Sequence, residues 1–212
     1  MKHILKKKLK SSSKRWLTRQ FKDVYVIKAK EEGFRSRSSF KLLEINKKFR
    51  MLSNNLNILE LGSSPGGWAQ VYSKINTKGK NLAIDLINMA KVENVNFLKN
   101  NFLSESCKNE IHNFFENKKI DIIFSDMAPN SIGNSVIDSI KINHLALEVV
   151  NFGYKLLNLG GYLITKYFSG KDELSLIKVS KYYFKKINFF KPASSRSESK
   201  EMYLVLSGLR KN

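Results

Sequence analysis

Apolar residues in this chain fall into short, strand-length runs separated by stretches in which they recur every three or four positions. From Ser36 the period is helical: Phe40, Leu43 and Phe49, with Leu42 and Ile45, make an apolar stripe that has Lys41, Lys47 and Lys48 among it. The run 56–61 (LNILEL) reads as a buried strand leading through the turn 62–67 (GSSPGG) into a helix that begins near Trp68. Further strands are expected at 80–85, 95–99, 120–126 and 162–168, and near 184–190 and 201–207. Helices are expected at roughly 104–118, at roughly 138–157 ended by Gly160-Gly161, and at about 171–183. Alternation of this kind predicts βαβ units: an α/β fold with a mainly parallel central sheet and helices on both faces. The last two strands have no helix between them, which predicts an antiparallel hairpin at one edge of the sheet.

In such sheets ligands bind outside the carboxyl ends of the strands, at the point where strand order reverses. That rule sorts the polar residues, bringing Glu60, Asp85, Asp126 and Lys166 to the site as strand-end groups. Asp126 follows the apolar run 120–124 and Lys166 lies inside the apolar run 162–168. An unpaired buried charge costs several kcal/mol, so these two call for partners or a cleft. Lys41 and Glu201, taken singly, are ordinary surface charges.

The turn after the first strand does not match a phosphate-binding P-loop, because no Lys-Ser or Lys-Thr follows it. Nor is it G-x-G-x-x-G, since position 64 is serine and Pro65 stiffens the turn. Asp85 ends the next strand, where a carboxylate can accept from both hydroxyls of a ribose. The best fit is a nucleoside cofactor without a pyrophosphate.

Composition narrows the class. With 212 residues, 42% hydrophobic and 26% charged, the chain suits one globular domain. No apolar run approaches the ~18–20 residues of a membrane-spanning helix, and no secretory signal is visible, so a cytoplasmic protein with no membrane partner is expected. Cys107 is the single cysteine, which leaves no disulfide framework and no cysteine-built zinc site; no metal is expected. The formal charge is +20, and residues 1–50 hold 17 Lys or Arg against four acids, so +13 of it lies in the first quarter. A field so lopsided suits a polyanion. Residues 1–30 are read as a basic, RNA-binding N-terminal extension and 31–212 as the folded domain.

The segments 12–17 (SSKRWL), 35–45 (RSRSSFKLLEI), 59–69 (ELGSSPGGWAQ), 125–130 (SDMAPN), 165–170 (TKYFSG) and 193–205 (ASSRSESKEMYLV) resemble the RrmJ/FtsJ family of ribosomal RNA 2′-O-methyltransferases, in family order and spacing. The resemblance implies a Rossmann-like, S-adenosylmethionine-dependent methyltransferase fold. It also implies a catalytic tetrad at Lys41, Asp126, Lys166 and Glu201. The cofactor would be held by Gly62, Ser63, Ser64, Pro65, Gly66, Gly67 and Trp68, by Asp85 and Leu86, by Asn101 and Phe102, and by Asp126 itself. RNA contacts would fall on Lys6, Lys7, Lys8, Lys14 and Arg15, and on Arg35, Arg37 and Arg196. The substrate implied is a uridine in large-subunit ribosomal RNA, taken in the assembled ribosomal subunit by a monomeric enzyme. Two departures stand out: the family's acidic residue after the third strand is Asn101 here, and the stretch after 130–134 (NSIGN) differs from the family pattern.

Methyl transfer to a ribose hydroxyl requires that hydroxyl to lose a proton. A lysine can take it only when neutral, and burial beside another cation is what favours the neutral form. Lys166 is therefore the expected base, with Lys41 as the neighbouring cation, Asp126 orienting Lys166, and Glu201 positioning Lys41 or the ribose. Rival readings are a methyltransferase of transfer RNA or another RNA, a non-catalytic RNA-binding ribosome assembly factor, and a small-molecule methyltransferase, for which +20 has no use.

Overall fold

The computed structural model describes residues 23–170 and 173–210. Seven strands form one sheet in the order β3-β2-β1-β4-β5-β7-β6. They are β1 (Asn57–Leu61), β2 (Lys80–Asp85), β3 (Asn96–Lys99), β4 (Ile120–Ser125), β5 (Leu157–Phe168), β6 (Phe184–Phe190) and β7 (Glu201–Leu209). β1 to β5 pair in parallel, while β7 runs antiparallel between β5 and β6. The expected edge hairpin is present, with β7 as its inner strand.

Among the described residues there are six helices: α1 (Val24–Glu31), α2 (Ser38–Phe49), α3 (Gly67–Ile75), α4 (Glu105–Phe114), α5 (Ser135–Leu156) and α6 (Leu174–Tyr183). Strand alternation divides the core in two. Ile58 on β1 and Ile122 and Phe124 on β4 pack with Leu42 of α2 and Trp68 and Tyr72 of α3. Their neighbours Leu59, Leu61 and Ile123 face the other way, onto Ile111 of α4 and Val149 and Val150 of α5. Each fully buried Leu, Ile or Phe is worth roughly 1.5–3 kcal/mol, and both faces of the central strands supply them. Among the described residues no helix is long and apolar enough to cross a membrane.

Three boundaries differ from the expected ones for local reasons. Helix α5 starts three residues earlier than expected, because the Asn134 side chain accepts from Val136 N–H and Ile137 N–H. It ends at Leu156, where β5 begins at once, and Gly160-Gly161 lies inside β5 and does not end the helix. There the chain runs close to β4: a Cβ on Gly161 would meet the Asp121 carbonyl oxygen at 2.6 Å, and the β4–β5 register shifts between Ile120 and Ile122. The glycines thus mark an irregularity of pairing. Helix α4 is also shorter than expected, since Glu116 and Asn117 turn into the left-handed region.

From β1 the chain moves outward through β2 to β3, then returns to place β4 on the other side of β1. The crevice at the carboxyl ends of β1 and β4 is the switch point.

Candidate active site

A cleft of about 480 Å³ opens at that switch point. Gly62 and Ser64 line it from the β1–α3 turn, Asp85 and Leu86 from the end of β2, Asn101 and Phe102 from the end of β3, and Asp126 from the end of β4. The turn Met127-Ala128-Pro129 closes one side.

The glycine turn is tight because its backbone touches its neighbours. Gly62 has φ +79°, and a Cβ there would stand 2.4 Å from Met127 Cγ. Ser63, Pro65, Gly66, Gly67 and Trp68 do not line the cleft; they build the turn that does. A Cβ on Gly67 would meet the hydroxyl of Ser36 at 2.4 Å. Trp68 is packed edge-on to Phe124 and donates its indole N–H to the Ser38 carbonyl at 2.8 Å. The hydroxyl of Ser63 is buried without a hydrogen-bond partner. Asp85 holds the turn from the side, its Oδ2 accepting Ser64 N–H at 2.8 Å and its Oδ1 accepting Ile87 N–H at 2.9 Å. Each oxygen keeps a lone pair for a further donor. Asn101 shapes its own turn, its Oδ1 accepting Leu103 N–H at 3.1 Å.

Beside the cleft stand two ion pairs. Lys166 Nζ lies 3.1 Å from Asp126 Oδ1 and donates to the Asp126 backbone carbonyl at 2.6 Å. Lys41 Nζ lies 2.7 Å from Glu201 Oε1 and donates to Oε2 at 2.9 Å. Both lysines are only 8% exposed, and the structure brings all four expected residues together from α2, β4, β5 and β7. The register explains part of this, since Lys166 sits opposite Tyr203 and Phe168 opposite Glu201.

Tyr203 was not among the expected residues, yet it joins the two pairs. Its hydroxyl donates to Asp126 Oδ1 at 2.6 Å, and the Lys41 ammonium lies 5.7 Å from its ring centroid. Burial foremost, then the charge of Asp126, raises the Tyr203 hydroxyl well above its usual range, so it stays a donor. Burial alone would raise the Asp126 carboxyl. The positive charges of Lys166 and Lys41 and the Tyr203 hydrogen bond outweigh it and hold the group below its usual value. Ser195, also unexpected, donates its hydroxyl to Glu201 Oε1 at 2.8 Å. A residue two positions after Glu201 on the same strand shares its face, and that is the signal by which Tyr203 could have been found.

Glu60 is a correction. Grouped by sequence with the strand-end residues of the site, it does not line the cleft. One residue short of the end of β1 and only 1% exposed, it lies on the sheet face of Ile58 and Tyr203, where its Oε2 accepts from the Tyr72 hydroxyl at 2.9 Å. Burial, with smaller contributions from Asp126 and Asp85, pushes its carboxyl up to about 8 against the opposing Tyr72 bond.

Of the expected RNA contacts, Lys6, Lys7, Lys8, Lys14 and Arg15 lie outside the described residues. Arg35 ties its own loop to the glycine turn, donating to the carbonyls of Pro65 at 3.2 Å and of Ala90 and Lys91, each at 2.6 Å. Arg37 and Arg196 share the carboxylate of Asp23, at 3.2 and 3.5 Å. Among the described residues no group of three or more His, Cys, Asp or Glu side chains is placed to hold a metal ion.

A ribosomal RNA large subunit methyltransferase E from Francisella philomiragia is 38% identical over 201 residues, covering 94% of this chain and 98% of that protein. The Rickettsia akari protein of the same name is 42% identical over 205 residues, covering 94% and 90% respectively. The crystal structure of a Plasmodium falciparum protein described as a ribosomal RNA methyltransferase superposes with a TM-score of 0.76 at 30% identity, covering 84% of this chain and 100% of that one. Human methyltransferase-like protein 13, solved in complex with S-adenosylhomocysteine, shares the fold at a TM-score of 0.57 and 12% identity. The pattern of the FtsJ-like methyltransferases matches residues 34–209, and the chain belongs to that family.

Proposed function

We propose that this protein transfers a methyl group from S-adenosylmethionine to the ribose 2′-hydroxyl of a uridine in large-subunit ribosomal RNA, with the assembled subunit as substrate. The observation that carries the reading is the adjacency of two buried ion pairs, Lys166–Asp126 and Lys41–Glu201, to a cleft whose far wall bears Asp85.

The cleft suits a nucleoside cofactor. Asp85 has free lone pairs for ribose hydroxyls, Asn101 offers an amide that both donates and accepts at an adenine edge, and Phe102 and Leu86 give apolar surface. The buried, unpartnered hydroxyl of Ser63 is a further polar group in the turn. When bound, the cofactor supplies an electrophilic methyl group on sulfur.

The residues of the chain do the rest. Lys166 Nζ takes the proton of the 2′-hydroxyl, which it can do only without a proton of its own, because an ammonium has no acceptor lone pair. Asp126, anchored by the Tyr203 hydroxyl, holds Lys166 at the end of β5. Lys41, fixed by Glu201, presents a positive charge toward the ribose as its oxygen becomes nucleophilic. General-base assistance of this kind is worth about 10²- to 10⁴-fold, and alignment of the two reacting atoms supplies more.

The chemistry at the ribose is tested by alkaline hydrolysis of RNA labelled by the enzyme. A 2′-O-methyl group blocks cleavage at its own linkage, so the label must appear in an alkali-resistant dinucleotide whose 5′ residue is uridine. Label released as an alkali-sensitive base-methylated nucleotide would overturn the ribose assignment. Preferential labelling of transfer RNA or free RNA over intact subunits would move the substrate to the rival RNA classes.

A further inference from the structure

Helix α2 carries Lys41 and, three residues on, Glu44, and both side chains reach toward the segment that joins β6 to β7. Lys41 meets its far end at Glu201. Glu44 meets its near end, Oε2 accepting Ala193 N–H at 2.5 Å and Oε1 accepting Ser194 N–H at 3.0 Å. The next residue, Ser195, is 8% exposed and donates to Glu201 Oε1. The chain of interactions thus leaves α2 at Glu44, passes through Ala193, Ser194, Ser195 and Glu201, and returns to α2 at Lys41.

We propose that Glu44 is a positioning residue for the Lys41–Glu201 pair, setting the β6–β7 loop so that Ser195 holds Glu201 against Lys41. The inference rests on the reading that this pair belongs to the active centre. Strand pairing places only the far end of the loop, where Glu201 pairs with Phe168 of β5; at the near end the β6–β7 ladder stops at Phe190 and Tyr203. Residues 193–200 are Ala-Ser-Ser-Arg-Ser-Glu-Ser-Lys, with no large apolar side chain to seat them. Polar interactions must do so instead. Two successive backbone N–H groups need two acceptors a short distance apart, and a carboxylate, acceptor-only on both oxygens, supplies them. Arg37 adds a link to the Ser194 carbonyl from the residue just before α2. Because Glu44 and Lys41 share one helix, any shift of the loop against α2 changes the Lys41–Glu201 geometry directly.

The test compares Glu44→Ala, Glu44→Gln and Ser195→Ala with the full-length enzyme in methyl transfer to large ribosomal subunits. Misplacement on the scale of 1 Å can cost ~10²-fold, so kcat is expected to fall about 10- to 100-fold in Glu44→Ala. KM and Kd for S-adenosylmethionine should stay within about two-fold, since Glu44 does not line the cleft. Glu44→Gln should fall between Glu44→Ala and wild type, because its amide keeps one acceptor and opposes the second N–H with a donor. Ser195→Ala, which cuts the chain of interactions further on, should lose kcat with the Glu44 hydrogen bonds intact. In a Glu201→Gln background, Glu44→Ala should add less than about two-fold, because the two act along one route. An unchanged kcat in Glu44→Ala, or a full additional loss on top of Glu201→Gln, would overturn the inference. A wild-type enzyme that transfers no methyl group would overturn the functional reading and this inference with it, whereas an active wild type indifferent to Glu44 overturns this inference alone.

Discussion

The ammonium of Lys166 is held twice by one residue, at 3.1 Å from Asp126 Oδ1 and at 2.6 Å from the Asp126 backbone carbonyl. Contact with both side chain and backbone fixes the amine at the junction of β4 and β5. If it is the base, removing it should lower kcat by about 10²- to 10⁴-fold. Lys166→Ala and Lys166→Arg should both do so, since a guanidinium does not give up its proton in proteins. Cofactor affinity, measured by calorimetry, should stay within a few-fold. A Lys166→Ala protein that loses cofactor binding would make the residue structural.

Asp85 lines the cleft and holds the glycine turn, accepting from Ser64 N–H and Ile87 N–H. Asp85→Ala removes the acceptors for a ribose and loosens the turn at once. Affinity for S-adenosylmethionine should fall by at least about ten-fold, the worth of one or two charged hydrogen bonds. Equilibrium dialysis with labelled cofactor checks this, and an unchanged Kd would contradict the ribose assignment.

Glu60 makes stability depend on pH. Its carboxyl is raised from 4.5 to about 8 in the folded protein, chiefly by burial. Between these values the folded state keeps a proton that the unfolded chain has released. Stability from the neutral form is therefore whole below about pH 4.5 and is lost as pH rises to about 8. Glu60→Gln cannot ionise and keeps an oxygen for the Tyr72 hydroxyl. Denaturant unfolding should show the variant gaining on wild type between about pH 5 and 8, by on the order of a few kcal/mol. A difference that stays flat with pH would show that Glu60 does not titrate in this window.

Charge reversal at Lys6, Lys7 and Lys8 tests the basic N-terminal segment. RNA binding should weaken, and the slope of log K against log salt should flatten by about one for each phosphate that is no longer neutralised. Arg37, by contrast, is engaged with Asp23, so its substitution should lower thermal stability as well as RNA affinity. An unchanged salt slope in the lysine variants would show that they neutralise no phosphates.

Much of the architecture was legible because strands buried on both faces read as apolar runs: β1, β2 and β4 fall within a residue of where the pattern puts them. The start of β5 was not, because Gly160-Gly161 looks like a helix stop when only sequence is in view. Asp126 and Lys166 announced themselves as charges in apolar surroundings. Lys41 and Glu201 did not: they lie 160 residues apart, each unremarkable in its own segment, and only the family resemblance joined them before the fold did. Tyr203 was not legible because a tyrosine in an apolar run reads as core, and its ring is indeed core; its hydroxyl reaches Asp126 and the ring borders the Lys41 ammonium. Glu60 shares the sheet face of Tyr203 but sits one residue inside the end of β1, where the Tyr72 hydroxyl takes up its carboxylate beneath the cleft, and the run of the sequence does not show that step.

The most direct test of the central claim is methyl transfer from tritiated S-adenosylmethionine to large ribosomal subunits purified from cells that lack this protein. Wild-type enzyme should label one ribose in the subunit RNA, and Lys166→Ala, bound to cofactor as tightly, should label none. Label equal in wild type and Lys166→Ala, or no label in any RNA from a wild-type protein that binds the cofactor, would contradict it.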